Sequence, residues 1–278
     1  MHDAKPALTF GRFLKFWRNV HHVSQEELAD RLQSSPRHIS RLENGTSRPS
    51  ETMIEEIAKA LDLGERDRNH LRISAGYTPQ QQKVDFHSPE LKWLRKVMTL
   101  TLRAMDPYPA TLMDSASNIL MVNRGWVGFY QTIIPVEQLS HVNNHFEFLF
   151  SSQGAGTIMS GWEDTLAMIL MALKQAAMLS DDAEEMALLQ RFLEHPNVPA
   201  DWKQRAAKLE PMASFKVQVE FAGELQRFYS VNQTVGALGP TAYVSEPQLT
   251  ISTLYPEDDE LDLSSLIEGK LQHPLLYY

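Results

Sequence analysis

Cysteine is absent from all 278 residues. Without a thiol the chain has no disulfide framework, no thiolate zinc site, no iron–sulfur cluster and no cysteine nucleophile. The absence fits a reducing compartment. Long apolar runs are also missing: the longest, Leu166 to Leu173, is far short of the roughly 20 residues that span a bilayer. Met1 to Phe10 carries one lysine and no apolar stretch of the signal-peptide kind. A cytoplasmic protein with no membrane partner is therefore expected. Catalytic signatures are lacking too. Gly154-Ala155-Gly156 has no third glycine at the dinucleotide-fingerprint spacing, and no Walker, G-x-S-x-G or H-E-x-x-H motif occurs. His141 and His145 stand at i, i+4 and would suit a metal on a helix, but Asn143-Asn144 between them reads as loop. No enzyme, no metal and no cofactor are expected.

What is present is ordinary globular material, 43% hydrophobic and 22% charged, in a length that suits two domains. Charge is uneven. Residues 1–83 hold 13 Lys+Arg against 11 Asp+Glu, and residues 84–278 hold 13 against 24. A front end with clustered arginines joined to an acidic body points to separate partners for the two parts. Residues 1–74 read as short helices separated by turns. Residues 75–87, with a Gly, a Pro and a polar run, read as a linker. Ser88-Pro89-Glu90 predicts an N-capped helix to about Met105. Strands are expected at 110–113 and 119–123, a long helical middle at 124–209, and strands again at 215–221, 226–235 and 248–255. The whole is an all-α domain followed by an α+β domain, 88–278, with one antiparallel sheet.

Ser24-Gln25-Glu26-Glu27 is a capping box, and Leu28, Ala29 and Leu32 give its helix an apolar face. Ser35-Pro36 opens a second helix with Ile39 and Leu42 inward, and Asn44-Gly45 ends it. Two short helices with a tight turn, crossing at the small Ala29, form a helix-turn-helix. The outer face of the second carries Arg37, His38, Ser40 and Arg41, and arginine is suited to bidentate reading of guanine. A helical hairpin with merely solvated arginines fits the same pattern. The motifs SQEELADRL, SSPRHISRLENG, RPS and MIEEIAKALDL, over residues 8–73, resemble the lambda-repressor-like, XRE-type helix-turn-helix family. The resemblance implies double-stranded DNA as partner, and because one recognition helix reads only a few base pairs, a homodimer on paired half-sites is expected. It puts phosphate contacts at Gln25, Ser35, Asn44 and Arg48, and base reading at Arg37, Arg41 and His38. Gln33 stands where the family has a turn glycine, and Ser34 where it has an apolar residue. Pro36, without an N–H or a polar side chain, offers no hydrogen bond to a base.

The segment from Trp162 to Met178 is apolar on almost every side, and ten of the 12 methionines lie after residue 90. Methionine is favoured where a surface adapts to varied apolar partners, although buried core is the commoner fate of such residues. The stretches SPELKWL (88–94), PATLMDSASNILMVNRGW (109–126), GWEDTLAMILMAL (161–173), EHPNVPADW (194–202) and 227–260 resemble the C-terminal, PAS-like domain of MmyB-like transcription regulators. Gly161 stands where that family usually has Asn. The resemblance implies a one-component regulator whose cavity takes an apolar small molecule, a fatty acid or acyl derivative. Trp126, Phe129, Phe150 and Trp162 are expected in the pocket, with Leu166, Leu170, Phe228 and Ser230. Arg124, Tyr130, Tyr229 and Ser230 are the candidates to orient a ligand head. A C-terminal domain serving only dimerisation or protein interaction is the alternative.

Overall fold

The computed structural model describes residues 6–79, 85–152, 154, 161–180, 183–209, 214–221, 224–236 and 248–278. The chain divides into two compact units, the first built on residues 6–79 and the second on 85–235 and 248–278.

The first unit is five helices: α1 (Pro6–Val20), α2 (Gln25–Arg31), α3 (Pro36–Glu43), α4 (Glu51–Ala60) and α5 (Glu65–Ser74). Local chemistry sets their starts. Ser24 accepts from the Glu27 N–H at 3.0 Å, Ser35 from His38 at 3.2 Å and Ser50 from Met53 at 3.2 Å. Phe10, Leu14, Leu28, Ala29, Ile39, Leu42, Ile54, Ile57 and Leu71 form the sealed core. Gly11 lets α1 rest on the end of α3, since a Cβ there would stand 2.3 Å from the Glu43 carbonyl. The α2–α3 turn keeps its geometry without glycine: Gln33 takes φ 49°, in the left-handed region. Bonds from Gln33 N to Asp30 O (3.1 Å) and Ser34 N to Ala29 O (2.9 Å) close the helix end.

The second unit begins with a correction. Pro89–Leu91 is a single 3₁₀ turn, and α6 proper runs Lys92–Ala104. Ser88 makes no side-chain cap; its carbonyl accepts from Arg95 at 2.6 Å, so the side chain of α6 ties down the entry instead. The expected linker is also packed at both ends. Ala75 is fully buried in the first unit, and the Tyr77 hydroxyl donates to Pro49 O at 2.9 Å. Phe86 is buried beside Leu94, Met98 and Leu102 in the second.

The sheet holds β1 (Ala110–Met113), β2 (Ile119–Val122), β3 (Ser214–Phe221), β4 (Glu224–Val235) and β5 (Leu249–Pro256), all antiparallel, in the order β2-β1-β5-β4-β3. The helical middle resolves into α7 (Arg124–Gln131), α8 (Val136–Leu139), α9 (His145–Phe150), α10 (Trp162–Ser180), α11 (Ala183–Leu193) and α12 (Trp202–Lys208). Alternation gives the sheet two faces. Ala110, Leu112, Met121, Leu249 and Ile251 face α6 and share a core with Leu94, Met98 and Leu102. The opposite face carries Thr111, Met113, Val219, Phe228, Ser230, Asn232, Thr250, Ser252 and Leu254, as the cross-strand register requires. Asn123, fully buried, joins these parts. Its Oδ1 accepts from Ala110 N (2.9 Å) and from Trp126 N (2.8 Å), and its Nδ2 donates to Tyr108 O (2.8 Å). One side chain thus caps α7 and anchors the start of β1. Gly161, at φ 69° before α10, sits in a conformation that asparagine also tolerates.

Candidate functional sites: a helix face and a cavity

On α3, Arg37 and Arg41 are exposed and His38 and Ser40 half-buried, while Ile39 and Leu42 are sealed inside. The helix is held to α1 and α2 by one buried carboxylate. Glu43 accepts from Arg18 Nε at 2.6 Å and Nη2 at 3.3 Å, and from Gln25 Nε2 at 2.7 Å. Arg18 also donates to Val23 O at 2.8 Å. Charge-assisted and bidentate, this cluster fixes the angle at which the outer face of α3 is presented. The expected phosphate contacts fall around that helix. Gln25 leads α2 with one amide hydrogen on Glu43, Ser35 caps α3, Asn44 caps its far end and Arg48 lies 5.0 Å over the Tyr77 ring.

In the second unit a cavity of about 280 Å³ opens between the hydroxyl-bearing sheet face and the helices, just under the usual 300–1,000 Å³ of small-molecule pockets. The helices supply an apolar wall of Trp126, Tyr130, Phe146, Leu149 and Ile169, with Thr165 beside it. The sheet adds Met113, Val219 and Leu254, and a polar strip of Ser230, Asn232, Thr250 and Ser252. Ser230 Oγ and Ser252 Oγ lie 3.4 Å apart across β4 and β5. The turn after β1 supplies Asp114, Ser115 and Ser117. Both Asp114 oxygens are held by Asn118, from its N–H at 2.8 Å and its Nδ2 at 2.9 Å.

Two titratable groups in the wall are kept neutral. Desolvation pushes the Tyr130 hydroxyl well above the usual phenol range. His145 keeps part of its surface open, yet enough protein surrounds its ring that desolvation lowers its pKa to about 4. It does not share a helix with His141, since α8 ends at Leu139 and α9 starts at His145. Among the described residues no cluster of three or more His, Cys, Asp or Glu could hold a metal.

Of the expected pocket residues, Trp126 and Ser230 line this cavity, and so does the head-group candidate Tyr130. Phe129 and Phe228 do not: their rings meet edge to face at 5.3 Å in the closed core behind it. Phe150, Leu166 and Leu170 are sealed against α11 and α12 with Phe192 and Trp202. Trp162 is half-buried beside that cluster, its indole N–H on Leu149 O. The neighbours Leu149, Thr165 and Ile169 face the cavity instead. One residue along a helix is a turn of about 100°, so the expectation missed by one position at these three places. Two head-group candidates also point elsewhere. Arg124 donates to the carbonyls of Ile267 and Gly269 in the C-terminal tail, and the Tyr229 hydroxyl donates to Glu257 at 2.9 Å.

An exposed arginine-bearing helix on a buried ionic anchor, and a separate unit with a mixed apolar and hydroxyl-lined cavity, define a DNA-binding regulator with a small-molecule module. Residues 14–67 match the helix-turn-helix family model. Residues 94–263 match the model of the MmyB-like transcription regulator ligand binding domain. That match covers more than half of the chain, and the chain belongs to the MmyB-like transcription regulators. It is a transcription regulator with a helix-turn-helix DNA-binding domain and a ligand-binding domain; no catalytic family is among the matches. No curated protein matches it. Among the described residues no helix is long and apolar enough to cross a membrane.

Proposed function

We propose that this regulator acts as a one-component sensor: a homodimer that reads a roughly palindromic operator through α3 and responds to an acyl-chain ligand in the cavity. Residues 1–74 serve as reader, 75–87 as connection and 88–278 as sensor. Arg37 and Arg41, with His38, read base edges; Gln25, Ser35, Asn44 and Arg48 position the phosphate backbone. A single recognition helix covers few base pairs, so paired half-sites about 10 bp apart, or multiples of it, supply the needed specificity. The observation that carries the sensor reading is the cavity, with helical apolar groups facing a hydroxyl strip on the sheet. Such a wall suits a ligand with an apolar body and a hydrogen-bonding end. Native mass spectrometry of the purified protein, with organic extraction, tests it: a co-purifying acyl-chain molecule is expected. Footprinting tests the reader, and protection of one asymmetric site by a monomer would contradict the dimer.

A further inference from the structure

The cavity's charge inventory narrows the ligand, an inference that rests on the acyl-chain reading above. No Lys or Arg lines the cavity among the described residues, and its one formally charged group is the Asp114 carboxylate. Within residues 88–278, the segments outside the described residues contain no Lys or Arg either. In the register Lys216 pairs with Tyr229, one position out of step with Ser230. Three arginines on neighbouring elements are held elsewhere. Arg205 is held by Asp164 at 2.8 Å, Glu163 at 2.9 Å and Asp201 at 3.4 Å, and Arg191 by Glu147 at 3.2 Å. Arg124, the cation expected to meet a ligand head, is spent on Ile267 and Gly269. Nor do the starts of the three helices in the wall offer a site for an anion. Glu147 stands in the first turn of α9, Glu163 and Asp164 stand in that of α10, and at α7 the Gly125 and Trp126 N–H groups donate to Asp106 Oδ1 (2.9 Å) and Asn123 Oδ1 (2.8 Å). His145 in the wall is neutral above about pH 4.

An ionised carboxylate moved into such a site loses water and gains no counter-charge, whereas hydroxyls and amides serve a neutral polar group well. We propose that the cavity selects an acyl-chain ligand whose head is polar but uncharged, a primary alcohol, amide, ester or lactone, and discriminates against the free carboxylate. Ser230, Asn232, Thr250 and Ser252 give that head donors and acceptors of either sense.

Calorimetric titration of the full chain at pH 7.5 with 1-decanol, decanamide and decanoic acid is the test. The two neutral compounds are expected to bind about tenfold or more tighter than the acid, the order of discrimination an unpaired buried charge imposes. The gap is expected to narrow at pH 5, where more of the acid is protonated. Asp114→Asn, which keeps an oxygen for the Asn118 N–H, is expected to narrow it at pH 7.5 by relieving repulsion. Decanoic acid binding as tightly as 1-decanol at pH 7.5 would overturn the proposal while leaving the acyl-chain reading intact. If no member of the series binds, the acyl-chain reading falls and this inference falls with it. Should Asp114→Asn fail to fold, the wild-type series alone decides.

Discussion

The two units organise their polar groups in opposite ways. In the helical unit the buried polar cluster is ionic and closed: Arg18, Gln25 and Glu43 satisfy one another and hold α1, α2 and α3 at fixed angles. In the sheet unit the polar strip at Ser230, Asn232, Thr250 and Ser252 lines the cavity. A DNA reader needs its helix rigid before contact, because specificity comes from where a few side chains stand. A sensor needs hydrogen-bonding capacity left over for the molecule it detects. The contrast places preorganisation in one unit and unspent capacity in the other.

The largest expected effects come from removing the polar anchor of each unit. Glu43→Ala leaves the largely covered Arg18 guanidinium without its carboxylate partner and is expected to cost about 3 kcal/mol. Asn123→Ala removes the α7 cap and the partner of Ala110 N, for about 2–3 kcal/mol. Hydrogen exchange read by mass spectrometry separates them: protection is expected to fall across 6–79 for the first and across 85–278 for the second. Loss spread equally over both units by either change would break the distinction. Next come the reading residues. Arg37→Ala and Arg41→Ala are each expected to weaken operator binding by about 1–3 kcal/mol and to relax sequence preference. Quantitative mobility shifts on operator and scrambled DNA check this, and unchanged preference for Arg37→Ala would displace the assigned face.

A pH scan probes the sensor's wall. His145 has a folded pKa of about 4, below its unfolded value of roughly 6.5, so the unfolded chain binds the extra proton. Its stabilising contribution is complete above about pH 6.5 and is lost as pH falls toward 4. Denaturation midpoints of His145→Gln are expected to be flatter than wild type across that window. The smallest effect is at the turn: Gln33→Gly relieves a left-handed conformation and is expected to stabilise by about 0.5–1 kcal/mol, read as a raised thermal midpoint.

Legibility follows the same contrast. The helix starts at Gln25 and Pro36 were readable because Ser24 and Ser35 act through bonds spanning three residues. β1 falls at 110–113 as expected, and β3 was readable because the alternation of Phe215, Val217, Val219 and Phe221 with polar residues is equally local. The Glu43 cluster was missed because Arg18 lies 25 residues away, and no local pattern marks such a pair. The cavity wall was half legible. In Leu149-Phe150, Thr165-Leu166 and Ile169-Leu170 the expected residues are Phe150, Leu166 and Leu170, and the fold buries these and turns their neighbours to the cavity; in Phe129-Tyr130 both are expected, and only Tyr130 lines it. Closed core has the stronger claim on apolar surface. A cavity is lined by what remains one step around the helix, a choice only tertiary packing makes.

The decisive experiment is an operator titration of the full chain with and without a saturating ligand, taking whichever of 1-decanol and decanoic acid binds tighter. A ligand shifts the DNA-competent population only through differential affinity for it, and typical couplings of about 1–3 kcal/mol change affinity about 5–150-fold. A change of that size is expected in wild type, together with its loss in Ser230→Phe, which fills the cavity from the sheet side while operator binding persists. Operator affinity that stays constant at ligand saturation would contradict the coupling of cavity to DNA reader.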